Sequence, residues 1–162
     1  MIDPSGLAGE ISGGELLGDH ASPAMIVDAD VACDDVARLF QEDPQLGCVL
    51  VRDGGRVGIV SRTPFALAMV GPLGYGRALH GGRTIRVLTD WDPVTVSADT
   101  SVERASELVL DHGREGFPPD LVVCLLDGSF AKATSGVVFA ALAAGLYSTF
   151  TPRTRNVVPV CC

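Results

Sequence analysis

Histidine, cysteine, serine and paired acids build most active sites, and in this chain their spacing assembles none of the usual ones. His20, His80 and His112 are the only histidines, each beside a Gly or an Asp in a loop or at a helix end. No two stand at the His-x-x-x-His spacing that sets a pair of imidazoles on one helical face for a metal. Ser61 lies between Val60 and Arg62, not in the Gly-x-Ser-x-Gly turn that presents a nucleophile. Gly54-Gly55 and the glycines from Gly71 to Gly76 lack both the Gly-Lys-Ser/Thr ending of a phosphate loop and the dinucleotide fingerprint. Asp34-Asp35 and Asp90 with Asp92 are neighbouring carboxylates of a kind that can share acid–base work, but they fall on a solvated helix face and in a loop. Neither a catalytic constellation nor a metal site is expected.

Cys33, Cys48 and Cys124 each stand inside an apolar pattern, which suits reduced, buried thiols in a cytoplasmic protein. Cys161 and Cys162 end the sequence. They read as a frayed tail, a lipidation site or a metal site, and no cysteine or histidine is spaced nearby to complete the last.

Twelve basic against twenty acidic side chains give a net charge of −8. That balance argues against general nucleic-acid binding, which needs a basic face to neutralise phosphates. The charge is uneven: from Arg52 to Arg86 six arginines meet a single acid, Asp53. This stretch either attracts a small anion or pairs with acids elsewhere. Lys132 is the only lysine against eleven arginines, a bias that points to a GC-rich bacterial genome.

At 162 residues, 47% of them hydrophobic, the chain is long enough to bury about 70% of its unfolded surface without disulfides or metal. Residues Met1 to His20 have neither the positive cluster nor the apolar core of a secretion signal. The longest uncharged apolar stretch, Val137–Leu146, falls short of the ~20 residues that span a bilayer. A soluble cytoplasmic protein, with no membrane partner, is expected.

The elements that would position any site come from an internal repeat. Val27 to Leu39 aligns with Val96 to Leu108, and Val49 to Gly54 with Val123 to Gly128. The Gly/Pro-rich stretch 113–120 holds the extra residues of the second copy. Each copy begins with a short extended piece, Met25–Val27 or Val94–Val96. A helix follows, capped by Asp30 in the first copy and by a Thr100/Glu103 capping box in the second. Apolar runs too short for helices, Cys48–Val51 and Leu121–Leu126, read as buried strands. The Asp53-Gly54-Gly55 and Asp127-Gly128-Ser129 turns lead to second strands at Arg56–Val60 and Phe130–Thr134. Closing helices begin near Thr63-Pro64 and near Gly136. This order, β-α-β-β-α twice, predicts an α/β (α+β) fold of two small mixed sheets packed face to face. The expected divisions are an N-terminal extension at 1–22, a first repeat with linker helix at 23–80, a second repeat at 81–146 and a tail at 147–162.

The doubled order, Val-x-x-Asp at Val27–Asp30 and Val96–Asp99, the Asp-Gly hairpins and Gly58-Ile59-Val60-Ser61-Arg62 ahead of a closing helix together resemble a tandem CBS domain pair, or Bateman module, from about Pro23 to Leu146. Ser61-Arg62-Thr63-Pro64-Phe65, followed by Gly71-Pro72-Leu73-Gly74-Tyr75-Gly76, is similar to the CBS pairs attached to GGDEF and EAL cyclic di-GMP enzymes. The resemblance implies regulation without catalysis: clefts between the sheets for AMP, ADP, ATP, S-adenosylmethionine or a related ligand, and a partner enzyme or signalling protein. It also implies dimerisation through helices, and the closing helix of the second copy, apolar on every side from Val137 to Leu146, suits a homodimer.

The family's nucleotide motif, Gly-x-apolar-Ser/Thr-x-x-Asp, uses its hydroxyl for phosphate and its carboxylate for the two ribose hydroxyls. The first copy keeps Gly58 and Ser61 but has Pro64 in the aspartate place; aligned the same way, the second has Lys132, Ser135 and Val138. Both ribose clamps are therefore missing, and an adenosine ligand in the usual pose should be held weakly. Ser61, Arg62, Thr134 and Ser135 are the polar residues expected at the clefts. For the two serines, capping of the closing helix is the alternative role; for Arg62, it is a pair with an acid at a dimer face. A module with empty clefts that serves only dimerisation or docking is the competing reading.

Overall fold

The computed structural model describes residues 14–112 and 119–150. The insertion 113–118, and Cys161 and Cys162 with the tail beyond residue 150, lie outside the described residues.

In the first half, β2 (Ile26–Asp28) runs parallel to β3 (Cys48–Asp53), which pairs antiparallel with β4 (Arg56–Ser61). Helices α1 (Cys33–Glu42), α2 (Arg62–Val70) and the short α3 (Gly76–His80) accompany this sheet. The second half repeats the pattern with β5 (Thr95–Ser97) parallel to β6 (Leu121–Cys124) and β7 (Phe130–Ala133) antiparallel to it. Its helices are α4 (Val102–His112) and α5 (Ser135–Phe150), the latter running past the expected end of the repeat.

The apolar runs of β3 and β6 lack polar alternation because both faces of each strand are buried. Val49 and Val51 face the first helical core with Val36, Phe40 and Phe65. Cys48 and Leu50 face the opposite way, meeting Ile59 and Val122 of β6 in a cluster between the sheets. Leu121 and Val123 enter the second helical core with Val102 and Val109. The two sheets thus pack face to face, as the repeat predicts.

The segments flanking the repeats are interleaved. A strand from the segment read as an N-terminal extension, β1 (Ser22–Pro23), adds antiparallel to β7 at the edge of the second sheet, where a proline without an N–H is tolerated. Ahead of it Leu17, fully buried, sits in the second core, and its N–H donates to Thr100 O at 2.8 Å. Ile85 plays the matching part for the first half: fully buried in the first core, it donates to Val31 O at 2.6 Å. Each half is completed by chain that precedes the other.

Helix capping departs from expectation for the same reason. α1 starts after Ala32 without a side-chain cap, because its first N–H groups, on Cys33 and Asp34, donate to Arg83 O and Gly81 O at 2.8 and 3.0 Å. Asp30 instead receives Arg86 at 3.1 Å. α4 starts at Val102, one residue later than the capping box implies, so Ser101 is its cap, with Oγ accepting the Arg104 N–H at 3.2 Å, while the Val102 N–H donates to Glu15 O at 2.9 Å. Gly58 is required by close approach: a Cβ there would collide with Thr89 and the Asp90 carbonyl, where Ile59 and Asp90 exchange backbone hydrogen bonds of 3.0 and 2.9 Å.

Candidate functional site

A cleft of about 730 Å³ opens between the halves, lined by Ser61, Arg62 and Pro64 from the first and by His112, Asp120 and Ser135 from the second. That size suits a small ligand. Ser61 ends β4 and immediately precedes α2, and its Oγ donates to Asp120 Oδ2 at 2.9 Å. The backbone N–H of Ser135, the first residue of α5, also favours the charged form of this carboxylate. Burial holds the Asp120 carboxyl above the usual carboxylate range, opposed by these two groups and by Lys132. Beneath it in the inter-sheet cluster, burial, with the Asp120 charge adding, pushes the Cys48 thiol up to about 12, so it stays protonated and unreactive at neutral pH.

Of the four expected site residues, three line the cleft. Arg62 does so with its side chain committed elsewhere: Nε donates to Leu46 O at 2.8 Å, Nη2 to Asp43 O at 2.5 Å, and the guanidinium lies 5.0 Å from the centre of the Phe40 ring. These contacts fasten the loop after α1, in place of the expected pair with an acid. Thr134 stands apart as the cap of α5, its Oγ1 accepting the Val137 N–H at 3.3 Å. Asp120 is the residue that sequence reasoning passed over. Its signal was a carboxylate placed at the threshold of a fully apolar strand, Leu121–Cys124, where an acid is costly unless something donates to it.

Strand register corrects the equivalence between the copies. Val27 stands opposite Val51, and Val96 stands opposite Val123, so Val51, not Val49, is the counterpart of Val123. The antiparallel partners Gly58 and Ala131 follow. The second copy's motif therefore has Ala131 in the glycine place, Thr134 in the hydroxyl place and Val137 in the aspartate place, in lieu of Lys132, Ser135 and Val138. The carboxylate is absent from that place in both copies. The same register makes Asp120 the counterpart of Cys48.

Several arginines of the positive stretch are engaged with acids. Arg52 meets Asp28 at 3.5 Å, Arg77 meets Asp34 at 3.1 Å, and Arg86 bridges Asp30 and Asp53. Arg56 lies 4.2 Å from the centre of the Trp91 ring. Among the described residues, no group of three or more His, Cys, Asp or Glu is arranged to hold a metal ion, and no helix is long and apolar enough to cross a membrane.

No family model and no curated protein matches the sequence. Solved structures do match. The CBS-pair protein CBSX2 from Arabidopsis thaliana is 24% identical, with a TM-score of 0.63 over 83% of this chain and 98% of that one. A structure of CBSX2 in complex with AMP is 23% identical, with a TM-score of 0.59 over 84% and 99%. The cytosolic domain of the Mg2+ channel MgtE in complex with ATP is 19% identical, with a TM-score of 0.57 over 78% of this chain and 48% of that one. The chain has the fold of a CBS pair.

Proposed function

We propose that this protein is a non-catalytic, cytoplasmic regulatory module that senses a small ligand of the adenosine-nucleotide class, AMP, ADP, ATP or a related anion, in the cleft between its sheets. The observation that carries the reading is that both halves line one cleft: Ser61 and Pro64 belong to the first, Asp120 and Ser135 to the second. A ligand seated there touches both halves, and its differential affinity for two arrangements of the sheets can move a partner. CBSX2 with AMP and the MgtE domain with ATP support the ligand class. Pro64 lines the cleft, so the ribose clamp is missing from the site itself and binding is weak. The likeness of the 61–79 stretch to the CBS pairs of cyclic di-GMP enzymes makes a signalling enzyme the partner class.

Thermal melting with millimolar AMP, ATP, S-adenosylmethionine, cyclic di-AMP and cyclic di-GMP tests this. A ligand at 100 times its dissociation constant adds ~2.7 kcal/mol, several degrees at this size. No shift with any of them would count against the reading.

The competing reading, association without a ligand, is favoured by a separate observation. Leu67 and Val70 of α2, Leu73 and Tyr75 beyond it, and Leu79 of α3 are exposed apolar side chains in one stretch of chain, more than an isolated surface commonly leaves bare. α5 adds less than its composition suggested, since Val138 and Ala141 are buried in the second core. Light scattering across a concentration series distinguishes homodimer from monomer, and Leu67→Glu would shift a dimer of this kind toward monomer.

A further inference from the structure

The cleft already holds an anion of the chain's own. The Asp120 carboxylate takes a hydrogen bond from Ser61 Oγ, at the start of α2, and its charged form is favoured by the Ser135 N–H, at the start of α5. These are two places where an incoming phosphate would be held. Helix N-termini carry partial positive charge and orphan N–H donors, and α2 has no acid in its first turn. Other charges offset Asp120 only in part. Arg62 on the cleft wall keeps its positive charge but directs Nε and Nη2 to backbone carbonyls, Lys132 acts on the carboxylate from outside the lining, Asp90 adds a second acid, and the His112 ring is tied through Nδ1 to Leu108 O at 2.9 Å.

A phosphate oxygen that reached Ser61 would lie a few ångströms from the Asp120 carboxylate, and like charges at that range repel. Displacing Asp120 instead would strip a half-buried carboxylate of its Ser61 donor. We propose that Asp120 sets the ligand class of the cleft by standing in for a phosphate, so that the site takes a nucleoside uncharged or cationic at the end nearest Ser61 in preference to the corresponding phosphomonoester. This rests on the reading of the cleft as an adenosine site and moves its preferred ligand from the nucleotide to the nucleoside.

The test is calorimetric titration of the full chain at pH 7.5 with adenosine and with AMP, for wild type and Asp120→Asn, with melting curves to confirm that each is folded; Asp120→Ala replaces the first variant if it does not fold. Wild type is expected to bind adenosine at least as tightly as AMP. The variant is expected to shift the preference toward AMP by tenfold or more, and AMP binding gained by the variant alone counts as that shift. Adding Ser61→Ala to the variant should take the gain away. A wild-type preference for AMP, a shift under tenfold, or a gain that survives Ser61→Ala overturns the proposal and leaves the adenosine reading standing. Binding of neither ligand to either protein overturns the proposal, and if ATP and S-adenosylmethionine also leave the melting temperature unmoved it overturns the adenosine reading with it.

Discussion

Ser61 and Asp120 join the two halves of the chain across the seam between the sheets, the hydroxyl donating to the carboxylate at 2.9 Å. The serine ends a strand of the first sheet and the acid precedes a buried strand of the second. Losing the hydroxyl leaves the carboxylate short of a donor in a partly dehydrated place. Ser61→Ala is expected to cost about 1–3 kcal/mol, read as a fall in melting temperature of several degrees. A variant that melts with wild type would show that the bond carries no net weight.

Asp120 also makes stability depend on pH, in a direction opposite to that of a salt-bridged acid. Its folded-state pKa is raised above the ordinary value of 3.8, so between that value and the raised one the native state binds more protons than the unfolded chain. Stability from this group therefore falls as pH rises through that interval, and the penalty is absent below it. Urea midpoints of wild type and Asp120→Asn, compared from pH 4 to pH 8, should diverge in the variant's favour as pH rises. A difference that is flat, or that shrinks, would contradict the buried-carboxylate account.

Pro64 lines the cleft in the place where the resemblance to CBS pairs calls for an acid. Pro64→Asp would supply a charge-assisted acceptor for two ribose hydroxyls, in the first turn of α2, where a negative charge is favourable. Affinity for adenosine is expected to rise about tenfold, with no comparable rise for 2′-deoxyadenosine, as measured by titration. Equal gains for both would mean that the new carboxylate does not reach the diol.

Leu17 tests the interleaving. It is fully buried in the second core, so Leu17→Ala should cost about 2–5 kcal/mol through the cavity it leaves. Hydrogen exchange should show α4 and β6 losing protection more than α1 and β3. Greater loss in the first half would contradict the assignment of Leu17 to the second.

Much of this architecture was legible in the sequence because its signals are local. Cys48–Val51 and Leu121–Cys124 are apolar without alternation, and strands buried on both faces read that way. What was not legible depends on contacts between distant residues. The alignment of the copies slipped because it matched Asp53-Gly54 with Asp127-Gly128. In the first hairpin Asp53 pairs directly with Arg56 around a tight turn; in the second, the last pair is Cys124 with Phe130, so Asp127-Gly128 sits deeper in a longer loop. Ser61, Arg62 and Ser135 were found because they border a closing helix. Asp120 was missed because its partners, Ser61 and the Ser135 N–H, lie far away along the chain. Asp30 and Thr100 were misassigned as caps because nothing local to either helix announces that the carbonyls of Arg83 and Glu15 will take the first N–H groups of α1 and α4.

The exchange of flanking segments also sets an order on folding during synthesis, which proceeds from the N-terminus. The helical core of the first half has all its parts once Trp91 has left the ribosome, since it draws on nothing later. Leu17 and β1, made earliest, have nowhere to dock until Val102, Val123 and finally β7 have emerged. Until then the leading segment carries an unburied leucine and an unpaired strand. A nascent chain that has emerged to about residue 95 therefore carries the whole first core but no site for its leading segment, and emergence of β7 supplies that site.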